Sequence, residues 1–355
     1  MDYMTAKEAA NKWGITQRRV AILCSENRID GVELMGKMWL IPKSAQKPED
    51  GRVTRFKPPA DMPVKPFLKW AGGKSQILDE IRSKYPAELG KTIKKYAEPF
   101  VGGGAVLFDV LSRYSMNEVY ISDINRELIH TYTTIRDNAI ELVAYLKEIE
   151  SQYLSVNEDV RKEIYYSVRE RFNVLKSAGT ESIEVSALFI FLNRTCFNGL
   201  YRVNSHGAFN VPQGGYKNPT ICDERNLIAV SEKLQGVTIT CADYKESHRF
   251  INNNTFVYFD PPYRPLTATA SFTSYAENGF GDKEQAELAV YIDEMSKCGA
   301  SIIASNSDPK NADENDDFFD RLYAQHDIIR IYASRAINSV GSSRGKVSEL
   351  LIANM

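Results

Sequence analysis

A turn made of an acid, two prolines and an aromatic ring is the segment of this 355-residue chain most suited to chemistry. The residues Asp260-Pro261-Pro262-Tyr263 directly follow the apolar run 256–259, which is typical of a buried strand. Because each proline fixes φ near about −65°, we expect the Asp260 carboxylate, the nearby carbonyls and the Tyr263 ring to keep one rigid geometry. These oxygen acceptors suit the two hydrogens of an exocyclic amine on a nucleobase. Tyr263 would stack on the base, and the amine nitrogen would attack a methyl group. The structural alternative is a proline-braced turn that only caps the next element.

A glycine-rich loop and a later acid predict a site for an adenosine-containing cofactor. The segment 98–106, with Phe100, Gly102 and Gly104, follows a predicted strand and opens a predicted helix. Its glycines allow a tight turn and close approach to a ligand, and the helix start offers free N–H groups. Asp123 lies about 20 residues further on, where an acid at the end of the second strand binds a ribose. Each feature alone could be a tight turn or a helix cap, but together they favour the cofactor.

The elements that would position these residues alternate between short apolar strands and helices, which predicts an α/β fold with a parallel sheet. This pattern runs from residue 65 and is interrupted by a mostly helical stretch. We therefore predict one domain made of 65–145 and 227–355, with a helical insertion at 146–226. The predicted strands are 95–97, 118–121, 237–241, 255–259, 301–305, 328–332 and 350–353, and the predicted helices include 74–83, 105–111, 126–138 and 283–298.

The N-terminal segment 1–45 is predicted to be a small separate domain, joined by a linker at 46–64 that is rich in Pro, Lys and Asp. Thr5 can cap a helix over 6–13 that Gly14 ends, and Thr16 can cap a second helix through Ser25. A hairpin over 31–42, turning near Gly36, would follow. This order resembles the winged helix-turn-helix of excisionase-like and MerR-like DNA-binding domains. The resemblance implies that Gln17, Arg18 and Arg19 face DNA; a small helical interaction module is the alternative.

Composition is that of an ordinary globular protein, with 43% hydrophobic and 25% charged residues and no apolar run long enough for a membrane span. The N-terminus has no secretory pattern, so we expect a cytoplasmic, nucleoid-associated protein. The five cysteines are scattered and the histidines form no cluster, so no metal is expected. The net charge of −2 argues weakly against nucleic-acid binding, although residues 1–57 carry 11 Lys and Arg against 7 Asp and Glu. We interpret the acidic run 313–317 as a solvated loop or helix start.

Four segments in order resemble the Dam-type adenine-N6 DNA methyltransferases: 67–74 (FLKWAGGK), 99–104 (PFVGGG), 123–125 (DIN) and 260–263 (DPPY). The resemblance covers the chain from about residue 65 onward, and the segment order is that of the alpha class. It implies a Rossmann-like methyltransferase sheet, S-adenosylmethionine as cofactor and a target-recognition domain at 146–226. By the same resemblance Trp70, Lys74 and the glycine loop contact the cofactor, Asp123 binds its ribose, and Asp260 lies between cofactor and target amine. Asp243 and Tyr244 would lie beside the cofactor adenine.

The stretch 193–212 closely resembles the hairpin with which this group reads GATC in duplex DNA. An adenine must leave the duplex to reach a pocket, so the resemblance implies base flipping. A departure at Gly215, where some relatives carry a basic residue, puts one contact in doubt; a long surface loop with incidental aromatic residues is the structural alternative. The resemblance implies that Arg202 binds a guanine edge and that Leu200 and Pro212 make apolar contact with thymine. It also implies that Phe197 or Asn198 enters the DNA helix and that Lys69 reads the outer guanine. Tyr216 and Arg344 would be further DNA contacts.

The sequence thus predicts a site-specific DNA methyltransferase that modifies N6 of adenine, with double-stranded DNA as partner and a companion restriction endonuclease as a possible second one. Two alternatives stay open. One is an amino methyltransferase that acts on cytosine N4, RNA or a protein glutamine, although Asp260, in place of asparagine, favours a nucleobase. The other is a transcription regulator with a vestigial methyltransferase domain. We hypothesise that segment 1–45 tethers the enzyme to DNA or regulates its own transcription.

Overall fold

The computed structural model describes residues 3–25, 28–36, 38–48, 64–70, 72–264, 280–333 and 347–354. The chain divides into two compact units, Met1–Lys57 and Pro58–Met355. The division falls within the segment predicted as a linker, of which residues 49–63 lie outside the described part.

The N-terminal unit has two helices and a three-stranded antiparallel sheet. Its elements are β1 (Tyr3–Thr5), α1 (Ala6–Trp13), α2 (Gln17–Ser25), β2 (Glu33–Met35) and β3 (Met38–Pro42), with strand order β1-β3-β2. Thr5 caps α1 in a reciprocal pair with Glu8, and Gly14 ends it in the left-handed conformation. The predicted helices and hairpin are therefore confirmed. The assignment as a winged helix-turn-helix stays a prediction.

The second unit is built on a seven-stranded sheet in the order β6-β5-β4-β7-β8-β10-β9. The first five strands are parallel, whereas β10 is antiparallel to both of its neighbours. The strands are β4 (Lys95–Glu98), β5 (Glu118–Asp123), β6 (Thr238–Cys241), β7 (Thr255–Phe259), β8 (Ser301–Ser307), β9 (Asp327–Ala333) and β10 (Val347–Ala353). All seven predicted strands are confirmed. The mostly parallel sheet of an α/β fold is consistent with a Rossmann-like methyltransferase.

Both faces of the central strands are covered, which explains their unbroken apolar sequence. Successive side chains of a strand point to opposite faces. Accordingly Tyr96 and Phe256 belong to one hydrophobic cluster, and their neighbours Ala97 and Val257 belong to the other. The chain order reverses between β4 and β7, so the crevice at the carboxyl ends of these two strands is where ligands of such sheets bind.

Within the described residues, the helices of this unit are α3 (Leu78–Arg82), α4 (Ala105–Arg113), α5 (Arg126–Leu154), α6 (Glu158–Ser177), α7 (Ile183–Thr195), α8 (Glu224–Lys233), α9 (Asp282–Lys297) and α10 (Phe318–Leu322). The insertion predicted at 146–226 shares one hydrophobic cluster with the sheet. Its predicted first residue falls inside α5, in the helical part that follows a kink at Asn138. No helix in the described part of the chain is long and apolar enough to cross a membrane.

Two local predictions need correction, and a third is confirmed. The helix predicted over 74–83 is a 3-10 turn (Lys74–Gln76) followed by the short α3. The helix predicted over 126–138 does end at Asn138, whose φ of −137° is not helical, and a second helix continues from there to Leu154 within the span of α5. The acidic run 313–317 precedes α10 as expected, but it is not merely solvated, because Asp316 lies 2.6 Å from Nη1 of Arg264.

Candidate active site

The carboxylate of Asp260 lies at the carboxyl end of β7 and is held by two neighbours. The ammonium of Lys74 is 2.7 Å from Asp260 Oδ1, and Ser305 on β8 donates its hydroxyl hydrogen to the same oxygen at 3.1 Å. Lys74 is only 4% exposed and also donates to the Gly72 carbonyl at 2.6 Å. The 3-10 turn at Lys74 brings this cation across the crevice. The predicted cofactor segment and the predicted catalytic turn therefore meet in one ion pair.

The pair is buried enough to perturb both groups. Burial raises the pKa of Asp260, while the charge and hydrogen bond of Lys74 and the hydroxyl of Ser305 oppose that rise. For Lys74, burial lowers the pKa, but the charge and hydrogen bond of Asp260, together with Tyr258 and Glu349, outweigh burial and the pKa is raised. Lys74 is therefore a cation at neutral pH, and it favours the ionised form of Asp260.

The Tyr263 ring is fixed from two sides. The Lys74 ammonium lies 4.6 Å from the ring centroid, and the Tyr263 hydroxyl donates to Glu349 on β10 at 2.8 Å. A cation over an aromatic face is attracted by the ring quadrupole. Burial raises the pKa of Tyr263 well above its usual range, so the phenol stays protonated and keeps donating.

The carbonyl after the second proline is fixed by a buried amide pair. Gln285 on α9 donates to the Pro262 carbonyl at 3.0 Å and accepts from Asn306 at 2.9 Å. Gln285 is fully buried and Asn306 is 2% exposed. The rigidity that the sequence predicts from two prolines is thus reinforced by hydrogen bonds from β8 and α9.

The glycine loop between β4 and α4 packs directly under Trp70. A Cβ atom on Gly102, whose φ is +47°, would lie 2.8 Å from Trp70 Cδ1. Gly104 has a φ of +71° and begins α4, and its Cβ would lie 2.5 Å from the Tyr132 hydroxyl. That hydroxyl donates to the Gly102 carbonyl at 3.0 Å. Both glycines are therefore required by conformation and by space.

Asp123 faces this loop from the end of β5. Its carboxylate accepts from the Gly102 N–H at 3.2 Å and from the Asn125 N–H at 2.9 Å. Asn125, and not Asp123, caps α5 through a bond from the Leu128 N–H. Burial raises the pKa of Asp123, against the effect of its backbone donors. The alternative that Asp123 is only a helix cap is wrong.

The next side of the crevice is aromatic. The ring of Phe100 stacks on that of Tyr244, with centroids 5.3 Å apart, and meets Phe280 edge-on at 5.8 Å. Asp243 caps the 3-10 helix Tyr244–Arg249 by accepting from the Lys245 N–H at 3.0 Å. Phe100 and Tyr244 are thus brought together, and the Asp243 carboxylate serves at least as a cap.

Glu98 is a site residue that the sequence analysis did not single out. It ends β4, is 2% exposed, and accepts from the Tyr96 hydroxyl at 2.6 Å. Burial raises its pKa well above the usual range, and the charge of Asp260 contributes in the same direction. The signal in the sequence was an acidic residue at the end of an apolar strand, at the start of the segment 98–106. The residues that contact it are identified only in the folded chain.

Lys69 connects the glycine-loop region to the hairpin predicted to read DNA. Its backbone N–H donates to the Asn193 side chain at 2.8 Å, and Asn193 donates to the Lys69 carbonyl at 2.7 Å and to the Gly199 carbonyl at 3.0 Å. Its exposed ammonium lies 4.3 Å from the centroid of the Tyr216 ring. These contacts bring Lys69 and Tyr216 together at the base of the hairpin.

The hairpin over 201–211 carries its predicted polar reader on an exposed face. Arg202 donates to the Asn210 side chain at 2.7 Å across the hairpin, which holds its guanidinium in place. Val203 and Phe209 pair in an antiparallel bridge, and the turn between them contains Gly207 at φ +71°. We name residues 197–216 the recognition hairpin.

The remaining predicted DNA contacts lie at the base of the recognition hairpin, with one exception. Phe197 is 52% exposed and donates its N–H to the carbonyl of Pro212, which is also exposed. Asn198 is exposed and adopts φ +54° without being glycine, and Leu200 is half-buried. Arg344 and its loop lie outside the described residues.

A family model for D12 class N6 adenine-specific DNA methyltransferases matches residues 70–337. The match spans Trp70, the glycine loop, Asp123, the recognition hairpin and the turn at Asp260. The chain belongs to this family. The predicted activity, methylation of adenine in DNA, is therefore confirmed at the level of the family.

Named relatives of this DNA methyltransferase cover most of its length. The type II methyltransferase M.MjaIII of Methanocaldococcus jannaschii is 48% identical over 82% of this chain and 100% of its own length. The DNA adenine methylases of Vibrio cholerae and Escherichia coli K12 are 38% and 36% identical, each over 80% of this chain and at least 93% of their own. A solved precorrin 8w decarboxylase from Methanobacterium thermoautotrophicum aligns with a TM-score of 0.33 and 12% identity, a likeness too slight to argue from.

A methyltransferase of this family implies S-adenosylmethionine as methyl donor, and the residues at the crevice fit that molecule. Gly102 and Gly104 hold the loop in left-handed turns packed against Trp70 and Tyr132, which keeps its backbone in the tight conformation that a cofactor loop of this kind requires. The start of α4 offers free N–H groups, and Asp123 offers a partly exposed carboxylate to hydroxyls. In the described part of the chain, no three His, Cys, Asp or Glu residues group as a metal site would require.

Proposed function

We propose that this enzyme transfers the methyl group of S-adenosylmethionine to N6 of adenine within GATC in duplex DNA, after flipping the adenine out of the helix. One observation carries the proposal. The Lys74–Asp260 ion pair lies where the chain order of the sheet reverses, beside the glycine loop and Asp123. An acceptor for the target amine and the parts of an adenosine site therefore share one crevice.

The cofactor, when bound, supplies an electrophilic methyl group on a sulfonium. We assign its adenosine to the glycine loop, to Asp123 at the ribose and to the Phe100–Tyr244 pair with Asp243 beside the adenine. Trp70 covers the loop, and Lys74 contributes a positive charge near the join between cofactor and target. These assignments rest on the contacts described above and on the resemblance of the four segments.

The chain's own residues position and polarise the target amine. The Asp260 carboxylate accepts one hydrogen of the amine, and the backbone carbonyls of the two prolines offer a second acceptor. Because Gln285 already donates to the Pro262 carbonyl, we assign the second acceptor to Pro261. Binding both hydrogens draws the nitrogen lone pair out of conjugation with the ring and aims it at the methyl. Tyr263, fixed by Glu349, stacks on the adenine.

The recognition hairpin reads the sequence around the adenine. Arg202 is exposed and pre-oriented by Asn210, as a bidentate contact to guanine requires, and such a contact contributes about 1–3 kcal/mol of discrimination. Phe197 or Asn198 fills the gap left by the flipped base, and Leu200 and Pro212 contact thymine. Lys69 and Tyr216 add contacts at the base of the hairpin, and Arg344 adds a further DNA contact.

The N-terminal unit acts as an added DNA-binding domain in this proposal. Arg18 is exposed at the start of α2, next to Gln17 and Arg19. The Type II name of one relative allows a companion restriction endonuclease for this chain as well.

The test is methylation of synthetic duplexes that differ only at GATC, with labelled S-adenosylmethionine. We expect N6-methyladenine in the GATC duplex and none in the GTTC duplex, read by nucleoside mass spectrometry. Equal labelling of both duplexes would reject GATC as the recognition sequence. Formation of N4-methylcytosine, or transfer to RNA, would reject adenine in DNA as the substrate.

A matched pair of variants tests the site itself. Asp260→Ala should lose transfer by at least about 100-fold, as expected when a positioned acceptor in a preorganised site is removed. Because the change also leaves the buried Lys74 without its counter-charge, we expect a lower melting temperature, and the assay is run at a temperature where the melt shows the variant folded. Asp137→Ala, which removes an acid on the surface of α5 that pairs with its neighbour Arg136, should methylate like the parent. Equal rates for the two variants would refute the role of Asp260.

A further inference from the structure

Tyr201 lies between the recognition hairpin and the glycine loop and contacts both sides. In sequence it stands between Leu200 and Arg202, two residues proposed to read DNA. Its ring stacks on Trp70, with centroids 6.0 Å apart and planes at 21°. Trp70 in turn packs so tightly on Gly102 that a Cβ there would lie 2.8 Å from the indole. A movement of the Tyr201 ring is therefore transmitted to the loop.

A second contact leads from the Tyr201 hydroxyl to the start of α5. The hydroxyl donates to Glu127 Oε2 at 2.9 Å, and the Lys176 ammonium lies 2.8 Å from Glu127 Oε1 and donates to the Tyr201 hydroxyl at 3.2 Å. Glu127 stands in the first turn of α5, two residues after Asn125, whose N–H donates to Asp123. The same tyrosine is thus attached to both walls of the cofactor site, the loop and the Asp123 strand end.

The surroundings of Tyr201 give its ring one defined place. It also packs against Phe189 on α7 at 5.4 Å and against Phe209 on the opposite side of the hairpin at 5.8 Å. Packed interiors respond to a displacement by adopting a new arrangement and do not deform freely. A shift of the hairpin on DNA would therefore shift the Trp70–Gly102 contact as well.

We propose that Tyr201 is a positioning residue that couples DNA binding by the recognition hairpin to cofactor binding at the glycine loop, so that each ligand raises the affinity for the other. The proposal rests on the function proposed above. A first ligand that holds the shared residues in the arrangement the second ligand binds best raises the affinity for that second ligand, which gives positive coupling. By linkage the two affinities must change by the same factor.

The test measures the coupling factor, which is the ratio by which one ligand changes the affinity for the other. The cofactor is replaced by S-adenosylhomocysteine, which cannot donate a methyl group. The duplex carries the site that the enzyme methylates, as found by mapping methylated adenines in genomic DNA. The dissociation constant of the duplex is measured by fluorescence anisotropy with and without S-adenosylhomocysteine, and calorimetry gives the reciprocal measurement. For the parent enzyme we expect the duplex to bind at least about fivefold more tightly with S-adenosylhomocysteine present, the lower end of typical couplings.

The variants separate the ring from the hydroxyl. Tyr201→Leu should reduce the factor to near one and leave the affinity for S-adenosylhomocysteine alone within about twofold. Tyr201→Phe keeps the stack on Trp70 and should retain most of the factor. Tyr332→Leu is the matched control, because Tyr332 lies on β9 with 62% of its surface exposed, and it should behave like the parent. A parent factor of one, or a Tyr201→Leu factor equal to the parent's, would overturn the proposal.

A spectroscopic measurement serves if Tyr201→Leu does not fold. The chain has three tryptophans, and Trp13 and Trp39 belong to the N-terminal unit. With both changed to phenylalanine, Trp70 is the sole indole, and its emission should change when the duplex binds without cofactor. Unchanged emission would overturn the coupling. Failure of the GATC assignment would be seen separately, because the mapped site would then be another sequence.

Discussion

At the scale of single residues, the role proposed for Asp260 predicts that the Lys74–Asp260 pair sets the pH range of the reaction. Asp260 must be ionised to accept the amine hydrogens, and burial raises its pKa, so activity is lost as pH falls through that raised value. Lys74 opposes the rise. In Lys74→Met the pKa of Asp260 climbs further, and we expect the acid limb of kcat/KM to move to higher pH.

The measurement is kcat/KM between pH 5 and 9 for the parent and two variants. Lys283→Met removes a lysine that is 82% exposed at the start of α9 and should leave the profile in place. An acid limb that Lys74→Met leaves unmoved would mean that another group controls it.

Glu98 gives a second pH-dependent prediction, in stability. Its pKa is raised in the folded state, so its contribution to stability is fully present below the pKa of the unfolded chain and is lost as pH rises toward the folded value. Glu98→Gln has no ionisation and escapes this loss. We therefore expect the difference in unfolding free energy, variant minus parent, to become more favourable to the variant as pH rises from 5 to 8. Urea melts at several pH values measure this difference, and one that does not vary with pH would show that Glu98 is not buried as a neutral acid.

At the scale of elements, the glycine before α4 is needed both for its left-handed backbone and for the space beside it, and two variants can distinguish these effects. Gly104→Ala meets both a left-handed φ and the Tyr132 hydroxyl, whereas Gly236→Ala meets a φ of +76° with no atom within 4 Å. We expect Gly236→Ala to destabilise by about 1–2 kcal/mol from conformation alone. Gly104→Ala should add about 1–3 kcal/mol from overpacking and weaken cofactor binding. Melting and S-adenosylhomocysteine calorimetry check this, and equal effects of the two variants would contradict it.

The sequence predicts well what depends on neighbouring residues. The seven strands are apolar runs bounded by breakers, and the turn at Asp260 follows from its own two prolines. The left-handed glycines of the loop also follow from local chemistry. By contrast, Lys74–Ser83 reads as one helix because its residues favour helix, yet the cation is drawn to Asp260 and the first turn tightens to a 3-10 turn.

Contacts between distant segments are what local patterns do not reveal. Glu349 lies 86 residues from Tyr263 and Asn193 lies 124 from Lys69, so neither partner is marked by spacing. Tyr201 lies in the predicted hairpin and Glu98 begins the segment 98–106, but the contacts of Tyr201 with Trp70 and Glu127 come from distant parts of the chain. Asp316 belongs to an acidic run whose charge predicts solvation, and only the fold brings Arg264 to it.

At the scale of the whole molecule, the N-terminal unit has its own hydrophobic core, so its removal should leave the remainder folded. If it contacts DNA, removal of residues 1–57 should reduce the slope of log affinity against log salt by about 2, which corresponds to about two phosphate contacts. Duplex binding between 50 and 300 mM salt measures the slope. An unchanged slope and affinity would reject the tethering role.

The place of β10 in the sheet has a consequence for how the enzyme is made. This strand follows all the others in the chain, yet it lies between β8 and β9, and it carries the Glu349 that accepts from Tyr263. During synthesis, β9 therefore cannot pair with β10 until residues 347–353 leave the exit tunnel of the ribosome. A nascent chain stalled before Val347 should be unable to modify DNA even with every residue of the catalytic turn already translated.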